Sequence, residues 1–240
     1  ETRPEVANSL AMEATSNMLT CYYRSGYDPS MPLPPKHVFP ELAKFCRKNT
    51  KTWLSTSALI LRGSLYLSRH GTEERMSLVP LHDPDNGVVI ALKCFELNQE
   101  QLEPKHIDFC STLKAKYKDF VYTRLMNTTF GVVPAGRSSG TFRLGVVMSA
   151  GAIPVFVARD FVRLFSDQFD WPSFLFTLCP DQVGPNMLQA LRAVPSKKLQ
   201  EMQRKSLQVY GDMFGGEVLD FYTLARNIIK ILIQRVEYHR

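Results

Sequence analysis

Apolar runs of four or five residues recur along the chain between longer polar stretches, at 58–61, 88–92, 130–133, 153–157 and 174–178. Runs this short and this continuous fit strands buried on both faces, the pattern of a mainly parallel sheet. The segments between them have helical rhythm. Residues 107–117 and 119–126 are predicted to coil, and 141–150 makes a short helix that Gly151 ends. Pro195 and Ser196 open a long charged helix through Tyr210. Residues 218–236 form a last amphipathic helix whose apolar face is Leu219, Tyr222, Leu224, Ala225, Ile228, Ile229, Leu232 and Val236. Strand and helix alternate, so the predicted class is α/β. Upstream, Pro29, Pro32, Pro34, Pro35 and Pro40 remove amide donors and mark a connector. The expected division is 1–50 as connector, 51–214 as an α/β domain, and 215–240 as the closing helix.

Composition narrows this picture only a little. Hydrophobic residues make up 45% of the 240 and charged residues 22%, enough for a sizeable core. The net charge of +6 suits an anionic ligand. Its lysines and arginines are scattered over helix-like segments without an aromatic-interleaved stripe, so no nucleic-acid partner is expected. No apolar run approaches the ~20 residues of a membrane-spanning helix, and the first residues do not resemble a signal peptide. The opening residues suggest a piece of a longer protein. Cys21, Cys46, Cys94, Cys110 and Cys179 form no CxxC pair, and no metal site is expected. Cys94 and Cys110 are a possible disulfide in an oxidising compartment, with buried free thiols an equal alternative.

Parallel sheets bind ligands beyond the carboxyl ends of their strands. The stretch after Val133 reads Pro134-Ala-Gly136-Arg137-Ser138-Ser-Gly140-Thr141-Phe-Arg143. Its glycines let backbone amides approach a ligand, and Arg137 and Arg143 add forked cationic donors, which together suit a phosphate group. Spacing alone leaves a plain strand-to-helix turn equally open. Arg62, with Gly63 and Ser64, is expected at a strand end on the same edge. Asp83, Asp85, Asn86 and Gly87 read as a turn rather than a cation loop. Asp167, Asp170 and Trp171 read as a helix end packed on the core in preference to an acid pair beside a sugar platform. No nucleophile elbow is present.

These motifs, taken in order, resemble one family. Asn127-Thr-Thr-Phe130, Val133-Pro-Ala-Gly-Arg137, Gly140-Thr-Phe-Arg143, Ser149-Ala-Gly-Ala-Ile-Pro-Val155 and Phe165-Ser-Asp-Gln-Phe-Asp-Trp171 are similar to the exostosins, as are the connector at Tyr23–Pro34 and Leu61-Arg-Gly-Ser-Leu-Tyr66. The resemblance covers about Tyr22 to Arg235. It implies the donor-binding half of a GT-B glycosyltransferase with two Rossmann-like domains, of which most of the first is missing here. It also implies an inverting transfer from a UDP-sugar donor to a glycan acceptor, a Golgi-lumen setting with a membrane anchor, and assembly with another exostosin-like protein. Carried over, Gly136, Arg137, Ser138, Gly140, Thr141 and Arg143 contact or line the diphosphate site, with Arg62 nearby, and Asn127 heads a glycosylation sequon. No catalytic base and no required cofactor are implied, and metal dependence stays open. The pattern departs at Val146, where the family carries a ribose-binding glutamate. Ala135 and Leu65 stand where it carries basic residues, and Arg163-Leu-Phe165 replaces its LPF. These losses point equally to a catalytically degenerate subunit that supports a partner glycosyltransferase.

Overall fold

A computed structural model of the chain describes residues 28, 30, 32–43, 61–67, 72–94, 125–136, 141–159, 161–165, 168–216 and 219–238. Five strands form one sheet: β1 (Leu61–Leu67), β2 (Val88–Cys94), β3 (Phe130–Pro134), β4 (Ile153–Val157) and β5 (Phe176–Leu178). Their order is β2-β1-β3-β4-β5 and every pairing is parallel. This is the parallel α/β arrangement that the apolar runs predicted and the Rossmann-like one that the resemblance implied. All five residues of β3 and of β4 are buried, as continuous Val, Ile and Phe runs require when both faces are covered.

The helices that pack on the sheet include α1 (Thr72–Met76), α2 (Arg143–Ser149), α3 (Pro185–Arg192), α4 (Ser196–Phe214) and α5 (Phe221–Tyr238). Side chains alternate across β3 and β4, so each face gathers its own core. Val133 and Phe156 meet α2, the second half of α4 and α5. Phe130, Val132, Ile153, Val155 and Val157 meet α3, the first half of α4 and the turn at Val79–Leu81. α4 changes faces where the buried Ser206 hydroxyl donates to the Ala152 carbonyl at 3.2 Å, just before β4 begins. The long helix therefore passes the amino edge of the sheet and leaves the carboxyl edge to the loops.

The connector runs beside α2. Phe39 N–H donates to Ser149 Oγ at 3.2 Å, and the Pro35 ring lies so close that a Cβ at Gly145 would meet it at 3.1 Å. Gly145 looks like a defect in a helix read from sequence. Here it is the gap that admits the connector. Gly151 ends α2 with φ of 76°, as expected.

Three expectations need correction. The first apolar run does not end a strand at Leu61: β1 starts there and continues to Leu67 through Arg62, Gly63 and Ser64. The apolar face read for the last helix is divided, because Leu224 and Ile231 are buried while Tyr222, Ile229 and Val236 are exposed. Helices α1 and α3 lie in stretches where no helix was expected. Residues 107–117 and most of 119–126 lie outside the described residues, as does Cys110 of the suggested disulfide.

Candidate functional site

In this strand order β1 connects outward to β2 and β3 connects the opposite way to β4, so the chain diverges between β1 and β3. Beyond the carboxyl ends of such a pair the two departing loops leave a crevice. One wall carries α1, and the other carries Ala135, Gly136 and the residues from Thr141 to Arg143.

An arginine stands on each wall of this place. Arg75, in α1, donates from Nη2 to the Ala135 carbonyl at 3.2 Å, tying the loop after β1 to the end of β3. Burial lowers its pKa below the ordinary arginine range, and the nearby positive charge of Arg143 lowers it further. A buried cation whose charge is further disfavoured by a second cation nearby is a reason to expect an anion beside it. Arg143 opens α2, and its amide donates to Thr141 Oγ1 at 3.2 Å. α2 has only seven residues, so the cations rather than the helix dipole supply the positive field here.

A second arginine tie closes the rim. Arg159, just past β4, engages both carboxylate oxygens of Glu73 at the start of α1, with Nε donating to Oε2 at 3.1 Å. Its Nη1 also lies 3.5 Å from Asp181 Oδ1, beyond β5. The paired guanidinium holds the Glu73 carboxyl below its usual range. Because β3 lies between β1 and β4, this fork bridges the loops flanking the β3 end.

Among the expected site residues, Gly136, Thr141 and Arg143 stand along this wall, while Arg137, Ser138 and Gly140 lie outside the described residues. Arg62 does not belong with them. It pairs in register with Val89 and Gly131, each second in its strand, at the amino edge of the sheet. Five further residues of β1 separate it from the carboxyl edge, about 16 Å at strand rise. The misplacement follows from ending the strand at Leu61. Arg75, Glu73 and Arg159 were missed because they belong to no motif; Arg75 and Ala135 are sixty positions apart.

The remaining candidates fall into structural roles. Trp171 is 2% exposed and its indole N–H donates to the Leu164 carbonyl at 2.7 Å, so it packs in the core as expected. Asp83 accepts from Asn86 N and Nδ2 and so closes a turn before β2, with Gly87 at φ of 80°. Val146 is 2% exposed within the core. Asn127 is exposed at the amino end of β3, away from the crevice. Among the described residues no three His, Cys, Asp or Glu side chains gather as a metal site would require. No described helix is long and apolar enough to cross a membrane.

Strand order and the crevice at its point of divergence define an α/β protein of the doubly wound, Rossmann-like class. Exostosin-1 of Drosophila melanogaster is 26% identical over 209 residues, which cover 85% of this chain and 27% of that protein. Exostosin-1a of Danio rerio is 30% identical over 166 residues, covering 67% of this chain and 22% of that protein. The chain is an exostosin-like family member. The exostosin-1 homolog of Caenorhabditis elegans is 23% identical over 177 residues, 73% of this chain and 44% of its own length. The chain therefore spans less than half of each of these relatives. No family model matches it. Among solved structures, a UDP-forming α,α-trehalose-phosphate synthase from Burkholderia vietnamiensis aligns over 88% of this chain and 48% of its own. At a TM-score of 0.39 and 12% identity, that likeness adds nothing to the topology.

Proposed function

We infer that this chain is the donor-binding half of a glycosyltransferase, which takes a UDP-sugar and passes the sugar to a glycan acceptor with inversion. The observation that carries the reading is the Arg75 guanidinium on the Ala135 carbonyl, beyond the carboxyl end of β3 and within range of the Arg143 charge, where a parallel sheet receives its ligand. Guanidinium forks match the oxygens of a diphosphate, and charge-assisted bonds of this kind are among the stronger ones. The position that lacks the family's arginine, Ala135, still has a guanidinium on its carbonyl.

The wider reading follows the resemblance: a GT-B partner domain, a Golgi-lumen protein held to the membrane by another part of the chain, and pairing with a second exostosin-like protein. A glycan on Asn127 is compatible with this site, since it would stand at the opposite edge of the sheet.

Val146 favours a second reading, a subunit that keeps the fold without transferring sugar, because its side chain is in the core and supplies no carboxylate to a ribose. Calorimetric titration tests the first reading. UDP is expected to bind, and Arg143→Ala to weaken it tenfold or more, as loss of a charge-assisted bond of ~1.5–3 kcal/mol implies. No heat at millimolar UDP removes the enzyme reading. Binding without transfer from any UDP-sugar, measured with the full-length protein, selects the second.

A further inference from the structure

Phe142 sits between Thr141 and Arg143 on the wall of the crevice, and at 39% it is more exposed than every other described phenylalanine but Phe221. The ammonium of Lys36 lies over its ring, 4.6 Å from the centroid. This arrangement is built rather than incidental. Lys36 follows Pro35, whose ring fills the gap at Gly145, and Phe39 three residues on is hydrogen-bonded to Ser149. The connector is thereby laid along α2 in a register that brings Lys36 to Phe142. A cation over one face is attracted by the ring's quadrupole and fixes the ring plane. Even with Lys36 in place, Phe142 keeps 39% of its surface exposed.

We propose that Phe142, steadied by Lys36, is the stacking platform for the flat heterocyclic base of the ligand whose diphosphate lies between Arg75 and Arg143. The inference rests on the diphosphate reading of the crevice and extends it to the nucleoside end. A phosphate cradle alone does not distinguish a nucleotide from any other diphosphate. An exposed aromatic ring one residue from a cradle arginine does, because every base offers a π-face and inorganic pyrophosphate offers none. Lys36 brings one more positive charge to the same anionic ligand.

Two ligands and three variants separate this from the cradle itself. UDP and inorganic pyrophosphate are titrated into the wild-type chain, Phe142→Ala, Phe142→Tyr and Arg143→Ala, with thermal unfolding as the check on folding. Phe142→Ala is expected to weaken UDP about five- to a hundredfold, the range typical of base–aromatic stacking. It is expected to leave pyrophosphate unchanged, and Phe142→Tyr to keep UDP affinity. Arg143→Ala is expected to weaken both ligands. If pyrophosphate binds and UDP affinity survives Phe142→Ala, the platform is overturned and the cradle stands. If Phe142→Ala weakens both ligands equally, the ring serves only the loop's shape, and the proposal falls. If neither ligand binds the wild-type chain, cradle and platform fall together. Should Phe142→Ala unfold, Phe142→Leu keeps the apolar bulk without the π-face, and the same loss of UDP alone is expected.

Discussion

At the scale of single residues, the same side chain means different things according to where the backbone puts it. The exostosin resemblance implies a ribose-binding glutamate at the position of Val146, so that restoring the carboxylate would be expected to restore the contact. Its burial in the core beside Leu144 and Met148 argues otherwise. A glutamate there would carry an unpaired charge out of water, at a cost of about 3 kcal/mol or more. Val146→Glu is therefore expected to lower the melting temperature sharply at neutral pH without tightening UDP, and a stable variant that binds UDP better would contradict this placement. Arg75 shows the converse. It looks like an ordinary surface charge in a short polar stretch, yet it is partly buried and bridges two strand ends.

Among the elements, the contact of β3 with α2 is held by a missing side chain. A Cβ at Gly131 would lie 2.8 Å from Val147 Cγ2, so the helix rests directly on the strand backbone. Gly131→Ala is expected to cost about 1–3 kcal/mol through overpacking. Adding Val147→Ala should recover part of that loss, and strictly additive effects in thermal unfolding would show that the two do not touch. α1 is tied down differently, by its pair with Arg159. Because that pair lowers the Glu73 pKa from 4.5, its contribution is fully present above the ordinary value and is lost as pH falls through the lower folded one. Amide exchange in α1 should accelerate through that acid window, and Glu73→Gln should abolish the dependence; an unaltered profile in the variant would assign the protection elsewhere. The strands were legible from sequence because they are buried on both faces and their apolar runs are unbroken. β1 was misplaced because Arg62, Gly63 and Ser64 interrupt the run while the ladder continues. α1 is too short to show a period. In α5, apolar residues wrap most of the circumference, so periodicity alone did not choose between the face with Leu224 and Ile231 and the face with Tyr222 and Ile229.

For the molecule as a whole, topology decides where ligand chemistry is possible. The order β2-β1-β3-β4-β5 opens its crevice between β1 and β3, while α4 occupies the amino edge. Glycines and arginines after β3 were visible as a motif, but Arg75, from the stretch after β1, was invisible as their neighbour until the strands were paired. Guanidiniums from these two stretches, Arg75 and Arg143, are expected to share one anion. A crystal structure of the protein grown with UDP measures this. Diphosphate oxygens are expected within hydrogen-bonding distance of both Arg75 and Arg143 beyond the end of β3. A diphosphate bound away from these two side chains, or density showing the crevice closed to it, would contradict it.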